Sequence, residues 1–304
     1  MGFELCQCVS CGHRYATETF NSSTLAEDYY EEPESALDRR STTAKSERYA
    51  NEYAKLLTKH VGRRGRVLDI GCNSGELLAL FKQDGWDIAG IEMSAAPARY
   101  AKSKLNCPIW VGSVEQVLPT QERFDLVTMT HVLEHIANPT GLLLRLRDIL
   151  APTGALLLEV PNADDWLLPI WGGCYRPLCP GDHVSFFDRN SLALTLERSG
   201  FAVLEIATPM HAHDILYGGI LSTMDALRAL RSEKGQRRCH QGVLSQVRYR
   251  GRWRKPLRTL LDFAVHGVDP LAVSLASRVA PNRGTALVVL ARPTQVQASN
   301  SSVT

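Results

Sequence analysis

Short apolar runs alternate with segments of helical periodicity through the middle of the chain. In the clearest case the run V-L-D-I, from Val67 to Ile70, stops at Gly71, and Leu77 and Leu78 then follow at helical spacing. A short apolar run bounded by a turn is typical of a strand buried on both faces, as strands of parallel sheets are. The pattern predicts a strand, a tight turn and a helix.

The same alternation extends over most of the chain. Helices are predicted over Lys45–His60 and over the leucine-rich Gly141–Leu150, and a third is predicted from its N-cap Asp188 to a stop at Gly200. Apolar and β-branched runs predict strands at Trp86–Glu92, Cys107–Val114, Phe124–Thr130, Gly154–Pro161, Phe201–Thr208 and Thr285–Ala291. Strands that alternate with helices favour an α/β fold with a mostly parallel sheet and helices on both faces.

The turn after the first strand is the place where an open α/β sheet binds a ligand, and Gly71 and Gly75 leave its backbone accessible. A dinucleotide fingerprint that begins at Gly71 requires a glycine where Glu76 stands. Asp69 adds a second carboxylate, so the turn favours a ligand with an amino group and a positive centre over a pyrophosphate. S-adenosylmethionine (SAM) is such a ligand. The alternatives are a plain chain reversal and, less favoured, a dehydrogenase.

An acidic residue also ends the next predicted strand. Glu92 follows Gly75 at nearly the spacing at which an acid accepts hydrogen bonds from both hydroxyls of a ribose. Met93 comes next and offers an apolar surface to an adenine, although methionines at such places are also common in cores. The combination of loop and acid is more specific than either part, and the alternative is a solvated glutamate.

The loop G-C-N-S-G, with Asn73 in place of the middle glycine, resembles the G-x-G-x-G loop of class I SAM-dependent methyltransferases. H-V-L-E-H after Thr130, and H-x-x-F-F followed by S-L and G-F, resemble the quinone-type and sugar-type branch. The resemblance implies a Rossmann-like seven-stranded sheet, SAM as the cofactor with S-adenosylhomocysteine as product, and methyl transfer to a small-molecule, glycan or lipid-linked acceptor, preferably to oxygen. The alternative from another class is a catalytically silent SAM-binding partner or sensor of the same fold.

The resemblance also implies roles for single residues. The implied cofactor contacts are Asp69, Gly71, Cys72, Asn73, Gly75, Glu92, Met93, Ser113, Val114 and Thr130. The helix before the first strand closes over the cofactor in this family, which offers Tyr49 or Tyr53 as a further contact. Since the sulfonium methyl is already activated, one base at most is needed. His183 is the first prediction for that base and His131 the second. His131 has an alternative role as substrate ligand, and His183 an alternative role in holding its loop by hydrogen bonds.

Residues 1–40 are predicted to form a cap and a linker. Cys6, Cys8, Cys11 and His13 are four potential zinc ligands, and the segment resembles the latter half of a zinc-ribbon cap whose first cysteine pair is missing. Eight residues rarely enclose one ion, so a remnant knuckle packed as an ordinary hairpin is favoured, without zinc. No metal is predicted in the methyltransferase core, residues 41–209. The eight cysteines have no framework spacing and are expected to be reduced.

Residues 210–283 form a predicted, mainly helical insertion before the last strand at 284–293, and 294–304 are an expected disordered tail. Segment 226–258 carries eleven Lys or Arg and one acid. It favours contact with anionic lipid or phosphate over nucleic acid, and a solvated basic helix is the alternative.

The loop Ala163–Asp182 has the length of a binding lid. No apolar run approaches a membrane span, and residues near Met1 lack the charged-then-apolar order of a signal peptide. A cytoplasmic protein, peripheral at a membrane if the basic segment binds lipid, is therefore expected.

Overall fold

The computed structural model describes residues 5–16, 48–168, 183–210 and 283–294. The predicted linker, most of the predicted lid, the basic segment 226–258 and the tail lie outside these ranges. The strands are β1 (Leu5–Gln7), β2 (Arg14–Ala16), β3 (Arg66–Ile70), β4 (Asp87–Glu92), β5 (Ile109–Val111), β6 (Phe124–Thr130), β7 (Leu150–Pro161), β8 (Ser185–Phe186), β9 (Phe201–Ala207) and β10 (Ala286–Pro293). The helices are α1 (Ala54–His60), α2 (Glu76–Gln83), α3 (Ala95–Leu105), α4 (Val114–Val117), α5 (Pro139–Ile149) and α6 (Arg189–Arg198). A π-helical turn at Tyr49–Tyr53 leads into α1, and a 3₁₀ turn spans Leu133–His135.

Seven strands form the main sheet in the order β5-β4-β3-β6-β7-β10-β9. The pairs β3/β4, β3/β6, β4/β5 and β6/β7 are parallel, whereas β10 is antiparallel to both β7 and β9. The predicted mostly parallel seven-stranded sheet is therefore confirmed. The strand order reverses at β3, because β4 lies on one side of it and β6 on the other. In open α/β sheets the ligand crevice lies outside the carboxyl ends of the strands at such a point.

The core has two layers, one on each face of the sheet. Val67 packs with α1, α2 and α3, whereas its neighbour Leu68 packs on the other face with α5 and α6. This alternation follows from the two-residue period of a strand, and it places helices on both faces as predicted. Two helices begin at side-chain caps. Asn138 accepts a hydrogen bond from the amide of Gly141 at 2.9 Å, and Asp188 accepts one from the amide of Ser191 at 2.8 Å.

The N-terminal segment forms the hairpin β1–β2, and β8 adds a third antiparallel strand to it. The pairing Tyr15↔Ser185 holds the hairpin beside His183, and Arg14 donates a hydrogen bond to the carbonyl of Ala163 at 2.9 Å. Hydrogen bonds from Ser10 lower the pKa of the Cys8 thiol to about 6. The expected hairpin is thus present and contacts the core, while the expectation that it holds no zinc stays a prediction. Across the described ranges, no helix has the length and apolarity required to cross a bilayer.

Candidate functional site

The loop between β3 and α2 has a left-handed backbone at three of its five positions. The φ angles are +76° at Gly71, +51° at Asn73 and +82° at Gly75. Asparagine adopts this region more readily than most residues, which explains how it replaces a glycine at position 73. The amides of Gly71 and Cys72 donate to the carbonyl of Ile91 at 2.8 and 3.0 Å. These bonds fix the loop against the end of β4.

The two glycines are also required by packing within the chain. A Cβ on Gly71 would lie 2.5 Å from a methyl group of Val132, and one on Gly75 would lie 2.7 Å from a methyl group of Leu105. Gly71 is exposed and keeps the backbone access that the sequence predicts, but Gly75 is buried beneath α3. Gly75 is therefore required for the close approach of α2 and α3, and its contact with the cofactor stays a prediction.

Glu92 lies at the carboxyl end of β4 and is only 5% exposed. One carboxylate oxygen accepts a hydrogen bond from the amide of Asn73 and the other from the amide of Ser94, both at 2.8 Å. The loop and the acid predicted from sequence thus form one connected unit. An ionised carboxylate accepts about four hydrogen bonds, so it suits a diol placed over this unit.

Asp69 supplies a second buried carboxylate and accepts a hydrogen bond from the hydroxyl of Thr128 at 2.6 Å. Burial, followed by the negative charges of Asp69 and Glu92, raises the pKa of the Cys72 thiol well above its usual value. Cys72 therefore stays neutral, and the site keeps a negative potential. A cationic, amino-bearing ligand fits these surroundings, as SAM requires.

The remaining predicted cofactor residues lie at the same edge of the sheet. Met93 is 44% exposed directly after β4, Ser113 precedes α4, Val114 is buried and Thr130 ends β6. The parallel registers align the strand ends, because Ile70 pairs with Ile91 on one side and with Met129 on the other. The sequence-predicted cofactor residues therefore lie at one edge of the sheet, and their contacts with the cofactor stay a prediction.

His131 follows β6 with an unusual backbone, φ +55°, and its side chain is 43% exposed. Its Nδ1 lies 3.4 Å from an oxygen of Glu134 and its Nε2 lies 3.1 Å from an oxygen of Glu159. Desolvation lowers the pKa of His131, but the two neighbouring carboxylates, Glu134 and Glu159, outweigh it and raise the pKa to about 10. The imidazole is therefore held as a cation between two carboxylates.

Glu159 was not predicted from sequence, although a lone acid within the apolar run L-L-L-E-V indicates a buried charge that needs partners. It is fully buried on β7 and accepts hydrogen bonds from Arg48, at 2.6 Å, and from the hydroxyl of Tyr53. Tyr49 donates instead to Asp84 at 2.6 Å. The two tyrosines that were expected near the cofactor thus bind carboxylates of the protein itself.

A second acid that sequence reasoning missed is Glu134, which lies beside the predicted His183; we call Glu134, His135 and His183 the Glu134 cluster. Glu134 is 1% exposed, and neither carboxylate oxygen has a hydrogen-bond partner among the described residues. His183 is also buried, with Nε2 4.0 Å from Glu134, and the rings of His135 and His183 meet edge to face at 4.7 Å. Burial raises the pKa of Glu134, but the three nearby histidines, led by His131, outweigh burial and hold this pKa below its usual value, so Glu134 is ionised.

A mostly parallel seven-stranded sheet, with a glycine loop after β3 and a buried acid at the end of β4, is the arrangement of Rossmann-like α/β proteins that bind a nucleoside cofactor. Residues 40–206 match the family model described as a methyltransferase domain. The chain belongs to this family, and the predictions of a class I SAM-dependent methyltransferase and of SAM as its cofactor are confirmed.

Curated relatives include ubiquinone biosynthesis O-methyltransferases. The protein of that name from Coxiella burnetii (strain Dugway 5J108-111) is 26% identical over 173 residues, which cover 53% of this chain and 74% of the relative. The one from Rhodopseudomonas palustris (strain BisB5) is 33% identical over 151 residues, which cover 46% and 59%. Among solved structures, a SAM-dependent methyltransferase from Clostridium acetobutylicum ATCC 824 has 8% identity and a TM-score of 0.45, covering 57% of this chain and 86% of that one.

Proposed function

We propose that this methyltransferase transfers the methyl group of SAM to an oxygen atom of a small-molecule acceptor. The observation that carries the proposal is the unit formed by Glu92 and the loop after β3. A group of histidines and carboxylates lies at the end of the neighbouring strand β6. The similarity to ubiquinone biosynthesis O-methyltransferases supports oxygen as the acceptor atom. Glycans and lipid-linked molecules are further acceptor classes within this proposal.

Separate residues are assigned to the cofactor and to the acceptor. Glu92 holds the ribose, Asp69 favours the cationic end of the cofactor, and Met93 and Val114 flank the adenine. Bound SAM supplies a methyl group on a sulfonium, which is an activated electrophile. The protein then has to align the acceptor and exclude water from it.

The acceptor proton is assigned to the histidines near Glu134. His183 is the first candidate for the base, because it is buried and Glu134 stands 4.0 Å from it to stabilise an imidazolium. His131 faces a carboxylate with each ring nitrogen, so it needs both protons. That arrangement suits a cation that binds an acceptor oxyanion better than a group that receives a proton.

Contact of segment 226–258 with anionic lipid or phosphate is part of the same proposal. The segment lies outside the described residues, and its support is the excess of Lys and Arg alone. If the acceptor is lipid-linked, contact of segment 226–258 with the membrane would bring the active site to the surface that holds the acceptor.

The test is release of S-adenosylhomocysteine over a panel of phenols, catechols, hydroxylated sugars and quinol precursors, paired with a SAM titration of the same sample. Turnover on a hydroxyl-bearing acceptor, with the methyl located on oxygen by mass spectrometry, is expected. SAM binding without turnover on any acceptor would favour the silent partner or sensor protein. Absence of SAM binding would refute the proposal altogether.

A further inference from the structure

We propose that Glu134, His135 and His183 bind one divalent transition-metal cation, and that the acceptor oxygen binds to the same ion. The second half of this inference rests on the proposed function, whereas the first half stands without it. The sequence predicts no metal here, because His183 is distant in sequence from the adjacent residues Glu134 and His135.

The donor atoms are already close to one another. One carboxylate oxygen and one nitrogen from each imidazole lie within 4.8 Å of one another, and this is the one such group of three among the described residues. Ligands on a single ion at about 2.1 Å lie roughly 3 to 3.5 Å apart. Side-chain rotations that shorten these separations by about 1 Å would therefore complete the site. Two nitrogens and one oxygen suit Zn²⁺, Mn²⁺ or Co²⁺.

The carboxylate of Glu134 is the strongest independent indication of a ligand. It is almost fully buried, yet neither oxygen has a hydrogen-bond partner in the described part of the chain. Its contacts with imidazole nitrogens are His131 Nδ1 at 3.4 Å and His183 Nε2 at 4.0 Å, and both distances are longer than a usual hydrogen bond. Buried charges are normally paired or bound to metal, so a cation between Glu134 and the two imidazoles supplies the missing partner.

The backbone holds the two segments of the site together. The amide of Val184, next to His183, donates to the carbonyl of Glu134 at 2.9 Å. His131 contacts the carboxylate of Glu134 from outside the cluster and is itself held by Glu159. Such outer contacts orient the ligands of metal sites.

The cluster is closed on one side and open on the other. Glu134 and His183 are buried, whereas His135 is exposed, and metal sites that take part in reactions keep a coordination position open. An acceptor hydroxyl bound there loses its proton to solvent more readily, because the cation stabilises the oxyanion. The oxygen lone pair then forms the C–O bond while the C–S bond breaks and its electron pair stays on sulfur. In this scheme His183 is a metal ligand and not the base.

The first experiment measures metal binding. Chelator-treated protein carrying Cys8→Ser and Cys11→Ser, which removes thiol ligands of the N-terminal hairpin, is titrated with Mn²⁺ by electron paramagnetic resonance and with Zn²⁺ by indicator competition. One equivalent is expected. His135→Ala and His183→Ala should each weaken binding at least tenfold, and His60→Ala, a histidine outside the cluster, should not. Because His135 is exposed, its variant should fold normally, which thermal unfolding checks.

The outcomes separate the inference from the proposed function. Lack of Mn²⁺ and Zn²⁺ binding by protein that still binds SAM overturns the inference alone, as does binding that His135→Ala and His183→Ala leave unchanged. Loss of turnover on chelation, restored by Mn²⁺, is expected for the second half. Full turnover after the metal has been removed would overturn that half and return His183 to the role of base. Failure to bind SAM with or without metal would instead refute the proposed function.

Discussion

Replacing Glu92 by Gln tests whether the acid at the end of β4 holds the cofactor ribose. Glutamine has nearly the same shape but only one acceptor oxygen in place of two, and it carries no charge. In the structure one carboxylate oxygen receives the amide of Asn73 and the other that of Ser94, each at 2.8 Å. Glutamine can accept only one of these bonds well. The other amide then faces an NH₂ group.

Two separate losses follow from this geometry. The unpaired amide should lower the free energy of unfolding by about 1 to 3 kcal/mol, the usual cost of a stranded buried donor. The ribose hydroxyls lose a charged acceptor, which should weaken SAM binding by about 1 to 3 kcal/mol, or roughly 5- to 150-fold in Kd. The second loss is measured on folded protein, so it does not follow from the first.

The assays are urea unfolding for stability and isothermal titration calorimetry with SAM for affinity. Glu197→Gln on the exposed face of α6 is the matched control and should change neither quantity. Lower stability with unchanged SAM affinity would show that Glu92 only holds the loop, and the ribose role would then be wrong. Weaker binding of SAM with no change for adenine alone would place the loss at the sugar.

Three further substitutions or conditions test the rest of the structure. Arg48→Met should cost about 2 to 3 kcal/mol in urea unfolding, because it removes one of the two cations, Arg48 and His131, that pair with the buried Glu159 carboxylate. Arg63→Met at an exposed ion pair should cost about 1 kcal/mol or less, and equal losses would contradict a buried charge network. Gly75→Ala should destabilise the protein by about 2 to 3 kcal/mol, since the positive φ and a close contact with α3 both oppose a Cβ there. Gly62→Ala, with φ +78° and nothing within 4 Å, should cost about 1 kcal/mol. The difference between the two in thermal unfolding measures the packing contribution at Gly75, and equal costs would exclude such a contribution. If segment 226–258 meets anionic lipid, sedimentation with phosphatidylserine vesicles should fall steeply as salt rises, and salt-independent or absent binding would reject the contact.

The cofactor half of the site could be predicted from sequence because its parts are local. The loop after β3 and the acid after β4 stand at short, fixed distances along the chain, and a parallel sheet brings consecutive strand ends to one edge. Element bounds were less accurate where pairing across the sheet decides them. β7 begins at Leu150, before the predicted start at Gly154, because Leu150 pairs with Phe124 on β6.

On the acceptor side, His183 and His131 were predicted singly, but their contacts with Glu134 and Glu159 could not be predicted because these contacts join distant segments. Arg48 and Glu159 are 111 residues apart, and the proximity of His183 to Glu134 depends on a backbone hydrogen bond between the β6 exit and the segment that pairs with the N-terminal hairpin. Periodicity and spacing carry no information about such contacts.

The two acids that sequence reasoning missed are both buried charges. Glu159 interrupts an apolar strand, and Glu134 lies inside H-V-L-E-H between two histidines. A charge retained in an apolar setting requires a partner. Glu159 has Arg48 and Tyr53, from the helical turn before α1, and His131, which follows β6. Glu134 has histidines on two sides but no hydrogen bond among the described residues. Glu159, with all these partners, therefore stabilises the fold, whereas the unsatisfied carboxylate of Glu134 is the one that we propose binds a ligand.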